Sequence, residues 1–219
     1  MASAGCMPLD PGRDCPDCPR LVAFRLEHRA RFPDWFNAPV PTFNGDNPQL
    51  MVVGLAPGLR GANRTGRPFT GDYAGDLLYE TLIDYGFARG TYQARPDDGL
   101  QLTGAMITNA VRCVPPENKP TGPEINTCRP YLVATLEAAT SVRAVLALGR
   151  IAHDTFLSTL GLPRSRHAFA HGARHDLTYN GRALMLFDSY HCSRYNTNTG
   201  RLTREMFRDV FTAMQAALG

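Results

Sequence analysis

The sequence has almost no lysine, little excess charge and no long apolar run. Lys119 is its only lysine, so arginine supplies nearly all of the 23 basic residues. A net charge of +3 is too small to indicate a polyanionic partner by itself. Arginine suits planar, bidentate contacts to phosphates and base edges, but a GC-rich genome produces the same bias. Composition alone therefore leaves the partner open.

Segments that would direct the chain to a membrane are also missing. No stretch approaches the ~18–20 apolar residues that a membrane-spanning helix needs. Residues 1–14 lack the basic start and the apolar stretch of a secretory signal, and we expect them to form a flexible tail. We therefore expect no membrane association, a cytoplasmic location, and reduced cysteines that are free to bind metal. The 219 residues suit a single domain over 1–219, which we expect to be monomeric.

The order of apolar segments predicts an α/β fold. Short apolar runs typical of buried strands alternate four times with segments of helical periodicity. The predicted strands are 50–53, 105–108, 142–148 and 183–187, and the predicted helices are 75–85, 123–139, 149–161 and 203–218. This alternation predicts three layers, α/β/α, around a central, mostly parallel four-stranded sheet. Because ligands bind at the carboxyl ends of such strands, the loops after strands one, two and four should form one cleft.

Four of the six cysteines have a spacing typical of a metal site. Cys15 and Cys18 form a CxxC pair, and Cys113 and Cys128 form a second, wider pair. Four thiolates from two such pairs can bind zinc or an iron–sulfur cluster, and the spacing does not choose between them. The alternative is coincidence, with the cysteines serving as buried hydrophobic residues.

Three motifs resemble the active-site motifs of uracil-DNA glycosylases. The first is GLAPG at 54–58 followed by GRPFTGD at 66–72. The second is ITNAVRC at 107–113 running into PPENKP, and the third is SYHCSRYN at 189–196. Their order, together with the four cysteines, is most similar to the family 5 branch of the bacterial iron–sulfur enzymes. The resemblance extends from Cys15 to the last helix and implies the uracil-DNA glycosylase fold.

The resemblance also implies a cofactor, a reaction and a substrate. The family binds a 4Fe–4S cluster on four cysteines that correspond to Cys15, Cys18, Cys113 and Cys128. Its members act in base-excision repair: they flip uracil out of DNA and hydrolyse the N-glycosidic bond, leaving an abasic site. The expected partners are double- and single-stranded DNA containing deaminated bases.

Three alternatives to a uracil enzyme remain open. The pocket can favour hypoxanthine or xanthine, since family 5 enzymes are broad. The chain can be a DNA-binding, damage-sensing paralogue with the same iron–sulfur fold but no turnover. It can also be a zinc-stapled nucleotide-binding module, which would be colourless where a 4Fe–4S protein is brown.

Two positions depart from the wider superfamily. At the position of Leu55, family 4 has a glutamate that positions water. Family 5 has a leucine there, as this sequence does. The water must therefore be positioned by other residues. Cys192 stands where a proline is common, and we expect a buried, inert thiol there.

The first two motifs supply the predicted base pocket. Gly54, Ala56 and Gly58 are small enough for their backbone N–H groups to approach a ligand closely. Phe69 is expected to stack on the flipped base, and its alternative role is to plug the core. Asn109 has the donors and the acceptor to read the N3–H and O4 edge of uracil. Its alternative role is to form a turn at the end of a strand.

The predicted catalytic residues are Asp72, Asn118 and His191. His191, even when neutral, can donate a hydrogen bond to O2 of the base as negative charge develops there. Asp72 is the best carboxylate to stabilise the cationic sugar or to orient water, and Asn118 is expected to hold that water with it. The alternative for Asp72 is a cap for the helix that follows.

Polar loop residues are predicted to contact DNA. Three are candidate phosphate contacts that read no sequence, namely Arg64, Arg67 and Lys119. In the superfamily the loop of the third motif enters the minor groove, and its candidate residues here are Ser193, Arg194 and Asn196. We expect the Arg194 guanidinium to fill the space left by the flipped nucleotide.

Three histidines, His167, His171 and His175, recur at every fourth residue. That spacing is compatible with a metal-binding helix face. Gly172 and the lack of a supporting carboxylate favour a loop that faces solvent or DNA instead.

Overall fold

The fold is built on one mixed sheet in the structure, a computed structural model that describes residues 9–219. Within these residues the strands are β1 (Phe43–Asn44), β2 (Asp46–Gly54), β3 (Ala88–Arg89), β4 (Gln101–Asn109), β5 (Ala144–Leu148), β6 (Arg174–Tyr179) and β7 (Arg182–Ser189). The helices are α1 (Pro19–Arg31), α2 (Ala62–Thr65), α3 (Tyr73–Asp84), α4 (Gly122–Ala138), α5 (Arg150–Thr159), α6 (Arg194–Asn198) and α7 (Arg204–Leu218). The predicted α/β class is confirmed.

The four predicted strands form the parallel centre of the sheet, in the order β4-β2-β5-β7. The described sheet has three further strands, all antiparallel: β1 and β3 on β4, and β6 on β7. The prediction of a four-stranded sheet was therefore right for the parallel centre and missed the edges. Strands β1 and β3 have two residues each, too few to show a period. Strand β6 is mostly exposed or half-buried, so it lacks an apolar run.

Two layers of helices cover the sheet because successive strand residues point to opposite faces. Leu50 and Val52 of β2 pack in one core with α3 and α7. Met51 and Val53 pack in a second core with α4 and α5. Within the described residues, no helix is both long enough and apolar enough to cross a membrane.

The predicted boundaries of α4 and α7 agree closely with the structure because the caps of these two helices are readable in the sequence. Thr121 and Glu124 form a capping box at the start of α4, and the Thr203 side chain accepts a hydrogen bond from Met206 N (3.2 Å) at the start of α7. Helix α1 was not predicted. Its buried face contains Leu21 but also Arg25 and His28, which weakens the apolar period.

Residues 9–14 are anchored to the domain. Asp10 Oδ1 accepts hydrogen bonds from the buried guanidinium of Arg112 (2.6 Å) and from the Thr42 backbone N–H (3.0 Å). Asp14 pairs with Arg29 at 2.5 Å. These contacts correct the prediction of a flexible tail for residues 9–14, and residues 1–8 lie outside the described part of the chain.

The central strands end at a common edge. Gly54, the last residue of β2, pairs in parallel register with Asn109, the last residue of β4. On the other side of β5, the strand β7 ends at Ser189, two residues before His191. The three loops that the sequence predicted to converge therefore leave the sheet side by side.

Candidate active site

These loops form one open cavity of about 690 Å³ at the carboxyl edge of the sheet. That volume lies within the range typical of ligand pockets. The predicted residues that line it are Ala56, Gly58, Phe69, Asp72, Asn109, Asn118, His191, Ser193 and Arg194. The structure thus brings the predicted base-binding and catalytic side chains together in the expected cleft.

Gly54 lies beneath this cavity and does not line it. A Cβ atom at this position would lie 2.4 Å from Asn109 Oδ1 and 2.6 Å from Cζ of Phe69. The absence of a side chain therefore lets these two residues cross the end of β2. Gly54 therefore makes room for the side chains of Asn109 and Phe69, and it does not itself line the cavity as predicted.

Phe69 belongs both to the cavity and to the core. Its side chain is buried in the cluster of α3 and α7, and its ring centroid lies 5.9 Å from that of His191. The backbone of Phe69 has φ +52°, a left-handed conformation that strains a bulky residue. The hydroxyl of Tyr92 donates to the Phe69 carbonyl at 3.2 Å and supports this conformation. The stacking and plugging roles are therefore compatible.

Asn109 presents an unpaired buried amide to the cavity. Its side chain is almost fully buried, and its Oδ1 atom has no hydrogen-bond partner among the described residues. Buried polar atoms nearly always have a partner, so this oxygen points to a ligand that donates to it. The residue ends strand β4 and is not in a left-handed conformation, which disfavours the turn-forming alternative.

Asp72 occupies the N-cap position of α3, but its side chain makes no capping hydrogen bond. Its Oδ1 atom is buried without a partner among the described residues. Burial raises the pKa of Asp72, and the nearby amides of Gly75 and Ala74 only partly oppose this effect. A Cβ at Gly61 would lie 2.3 Å from Asp72 Oδ2, and one at Gly58 would lie 3.1 Å from it. These two glycines therefore leave space for the carboxylate in the cavity wall.

His191 is held as a neutral ring. Burial lowers the pKa of His191 to about 4, so the imidazole is uncharged at neutral pH. Asn196 Nδ2 donates to the His191 carbonyl at 2.8 Å and fixes the backbone there. Within the described residues its ring makes no hydrogen bond, so a ring N–H is available to a ligand in the cavity.

Asn118 stands on a strained turn at the rim of the cavity. Asn118 and the preceding Glu117 both have left-handed backbones, with φ +56° and +55°. Two consecutive non-glycine residues in this region are unusual, and such strain concentrates at functional sites. The turn exposes Asn118 to the cavity that Asp72 also lines.

The β7–α6 loop combines support residues with exposed ones. Ser193 caps α6 by accepting from Asn196 N, and Asn196 supports His191, so both act within the loop itself. Arg194 is exposed, with its guanidinium 5.3 Å from the ring centroid of Tyr73. The next residue, Tyr195, is 72% exposed. Sequence reasoning missed Tyr195, although it lies within the third motif.

The candidate phosphate contacts lie in different environments. Arg64 and Lys119 are exposed, and Lys119 pairs weakly with Glu117 at 3.4 Å. Arg67 is buried and forms two hydrogen bonds of 2.8 and 2.7 Å to the carboxylate of Asp98. That burial contradicts the expected phosphate contact of Arg67. An exposed arginine that sequence reasoning missed, Arg60, lines the cavity instead.

The four predicted metal ligands line one small enclosed cavity away from the base pocket. They are Cys15, Cys18, Cys113 and Cys128. Burial, reinforced by neighbouring thiols, raises the pKa of Cys18 to about 11. Burial likewise raises the pKa of Cys113 to about 12. Arg25 Nη1 donates to Cys113 Sγ, and the backbone N–H of Arg112 donates to Cys128 Sγ, both at 3.4 Å. Hydrogen-bond donors therefore point at the sulfur atoms, as ligated thiolates require.

The structure also shows where Cys192 and the three spaced histidines lie. Cys192 is fully buried and donates to the Ala74 carbonyl at 3.3 Å, which confirms the predicted structural thiol. Among the three spaced histidines, His167 follows a short 3-10 turn and His175 lies on β6, so they share no helical face. The expectation of a solvent- or DNA-facing position is wrong for His175, whose side chain is only 13% exposed.

The chain belongs to the uracil-DNA glycosylase superfamily, whose sequence profile matches residues 40–215. Within this superfamily it is similar to the type-5 enzymes. The type-5 uracil-DNA glycosylase of Thermus thermophilus is 45% identical over 94% of each chain. The type-5 enzyme of Pyrobaculum aerophilum is 40% identical over 94% of this chain and 90% of its own. A type-4 enzyme, from Sulfurisphaera tokodaii, is 29% identical over 74% of this chain and 68% of its own.

Proposed function

We propose that this chain is a uracil-DNA glycosylase, a hydrolase that removes uracil from DNA. The observation that carries the proposal is the pair of unpartnered buried oxygens, Asp72 Oδ1 and Asn109 Oδ1, beside one cavity in a member of this superfamily. Asn109 offers hydrogen bonds to the polar edge of a flipped base, and Phe69 offers a ring beside it. The enzymes named type-5 uracil-DNA glycosylase have the most extensive identity among the relatives above.

The chemistry divides between a leaving base and an incoming water. The C1′–N1 bond breaks and its electron pair leaves with the base, while His191 donates a hydrogen bond to the developing negative charge on O2. The oxygen of water bonds to C1′, and one proton of that water passes to Asp72 or to solvent. The Asp72 carboxylate also stabilises the positive charge on the sugar, and Asn118 orients the water. Leu55 contributes no polar group to these steps.

The four cysteines are proposed to hold a 4Fe–4S cluster. Their shared cavity and the N–H groups that point at the sulfurs fit a thiolate-bound cluster. When bound, the cluster would cross-link the start of α1, the loop after β4 and helix α4. A cytoplasmic location follows as part of the proposal, because the cysteines must stay reduced to bind iron.

Substrate range and assembly complete the proposal. We include hypoxanthine and xanthine as further bases, since Leu55 leaves the cavity without the carboxylate of the type-4 enzymes. Double- and single-stranded DNA are both proposed substrates. The base-reading and the proposed catalytic side chains all line the cavity of a single chain, and we propose that the enzyme acts as a monomer.

The decisive experiment is strand cleavage at abasic products. Wild-type protein is incubated with uracil-containing duplex and single-stranded DNA, and the products are treated with alkali and separated on a gel. Asn109→Ala should reduce uracil removal by about 10²-fold, since it leaves the base edge unpaired. The control is Asn126→Ala, a change of the same type on the exposed side of α4. A wild-type protein with a full cluster that binds uracil DNA but yields no abasic strand would support the non-turnover paralogue instead.

The cluster is tested separately by colour and metal content. Purified protein should be brown and contain about four irons per chain. Cys15→Ala and Cys113→Ala should lower stability and solubility more than the rate of the chemical step. A colourless protein with zinc bound by sulfur would contradict the iron–sulfur proposal.

A further inference from the structure

A second group of convergent ionisable side chains lies outside both sites described above. His153 on α5 and Asp188 on β7 are fully buried, and the side chain of His175 on β6 is 13% exposed. His153 Nδ1 lies 2.7 Å from Asp188 Oδ1, and His175 Nε2 lies 3.1 Å from Asp188 Oδ2. Among the described residues, no lysine or arginine pairs with this buried carboxylate. The charge of Asp188 therefore has to be balanced within the group.

The hydrogen bonds of His153 show that a cation belongs between it and Asp188. His153 Nε2 lies 2.8 Å from the backbone carbonyl of His167, and a carbonyl only accepts, so Nε2 must carry a proton. In a neutral ring, Nδ1 then points its lone pair at a carboxylate oxygen. Two lone pairs at 2.7 Å repel each other unless Nδ1 is protonated as well, or unless the two atoms move a few tenths of an ångström apart around a metal ion that both bind. The position between the two side chains therefore favours a positive charge, carried by a proton or by a metal ion.

We propose that His153, His175 and Asp188 bind a divalent transition metal ion, for which Zn²⁺ is the best match. One nitrogen of each histidine and a carboxylate oxygen all lie within 4.8 Å of one another. Two imidazoles and a carboxylate are a typical ligand set for zinc, with water in the remaining position. Histidines that bind metal usually donate their other ring N–H to a carbonyl or carboxylate, as His153 does to His167.

The position of this site indicates a structural role. Its ligands come from α5, β6 and β7, so a bound ion would tie the β6–β7 hairpin to the helix that covers it. None of the three residues lines the base cavity, and none contacts the cysteine cavity. Asp188 precedes His191 by three residues, so a metal ion bound to Asp188 would hold the end of β7 from which His191 projects.

The test uses the purified protein with its iron–sulfur cluster intact. After treatment with a mild chelator and gel filtration, ZnCl₂ is added and the metal content is measured. We expect one zinc per chain in addition to the iron, a higher melting temperature, and an X-ray absorption spectrum with only nitrogen and oxygen ligands. Zinc bound through sulfur would mean that it had replaced the cluster and would count against the site.

Matched variants separate the metal site from a merely structural contact. His175→Ala removes a ligand from the partly exposed edge of the group and should abolish both the extra zinc and its effect on melting. Asp188→Asn, which keeps the shape of the side chain, should do the same. His171→Ala changes a histidine of the same segment outside the group and should keep the zinc. The inference is overturned if wild type takes up no zinc, if His175→Ala retains it, or if nitrogen NMR shows a doubly protonated His153 ring at saturating zinc.

Discussion

At the scale of single residues, Asp72 and Asn109 each bury an oxygen that has no partner among the described residues. Leaving a buried polar atom unpaired costs about 1–3 kcal/mol of folding stability. The free protein therefore bears a cost that a bound base and a bound water can relieve. Both side chains depend on nearby glycines for their position: Gly54 under Asn109, and Gly61 beside Asp72.

His191 and Asp72 are predicted to act on the transition state. His191→Ala and Asp72→Ala should each reduce single-turnover cleavage of uracil DNA by about 10²-fold or more, with little change in affinity for the DNA. Rapid-quench kinetics and a binding titration measure the two quantities. Wild-type cleavage by Asp72→Ala would leave Asn118 with ordered water as the leading alternative.

The pH dependence should separate these two groups. Burial raises the pKa of Asp72, so its active carboxylate is lost as the pH falls through that raised value. Burial lowers the pKa of His191 to about 4, so His191 stays neutral until the pH approaches that value. We expect a single-turnover rate that declines as the pH falls through the raised pKa of Asp72. In Asp72→Asn the residual activity should decline only near pH 4, where His191 gains its proton. An unshifted acid limb in this variant would contradict the role of Asp72.

Gly54→Ala should damage the pocket without touching the base. The added methyl group would overlap Asn109 Oδ1 and the Phe69 ring, and both side chains would have to move. Uracil removal should fall at least about 10-fold, since positioning errors of this size are costly to catalysis. Circular dichroism should still show a folded protein. The control is Gly122→Ala at the start of α4, where a Cβ meets no atom within 4 Å.

At the scale of elements, the β7–α6 loop carries two candidates for filling the space of the flipped base. Arg194 is drawn toward the Tyr73 ring at the rim of the cavity, whereas Tyr195 is left 72% exposed. Both side chains have planar ends that can stack in a duplex. Ser193 and Asn196 fix the loop beneath them.

Duplex and single-stranded substrates should identify the wedge. The residue that fills the gap offsets the cost of unstacking, which is largest in a matched duplex and smallest in a single strand. Arg194→Ala should therefore slow cleavage of duplex uracil opposite adenine and spare the single strand. Tyr195→Ala is the matched comparison in the same gel assay. If Arg194→Ala impairs both substrates equally and its effect weakens with salt, Arg194 is a phosphate contact. Selective loss with Tyr195→Ala alone would make Tyr195 the wedge.

Some elements and site residues could be predicted from the sequence, and others could not. The parallel strands and their helices were predictable because each contains a continuous apolar run or a readable cap. The cavity residues were predictable because their motifs resemble those of uracil-DNA glycosylases and lie in the segments that follow strand ends. Helix α1 was missed because its buried face includes Arg25 and His28. The burial of Arg67 could not be predicted from the sequence either, since its partner Asp98 lies 31 residues away in an irregular segment.

At the scale of the whole molecule, buried arginines join distant segments. Arg67 pairs with Asp98, and Arg112 with Asp10. Removing one member of such a pair leaves a buried charge without compensation, which is more damaging than losing a pair in water. These contacts hold the loops behind the two sites, and neither arginine is free to meet DNA.

Asp98→Ala should therefore destabilise the protein markedly. We expect the free energy of unfolding to fall by about 3–5 kcal/mol, the usual effect of removing the partner of a buried charge. The neighbouring Asp97→Ala is the control, because its pair with Arg95 is exposed to solvent and should contribute little to stability. Urea denaturation measures both changes. Equal effects of the two substitutions would show that the Arg67 pair is solvated.

The anchoring of Asp10 has a consequence for the order of events during synthesis. Its partner Arg112 follows 102 residues later in the chain, and the Arg20–Glu124 pair spans 104 residues. Cys15 and Cys18 likewise face Cys113 and Cys128. Contacts of such long separation form slowly, because a large loop must close before they can be made. The segment from Asp10 to Cys18 must therefore wait until Cys128 has been synthesised before all of its contacts can form, and iron supplied before Cys113 would meet only two of the four proposed cysteine ligands.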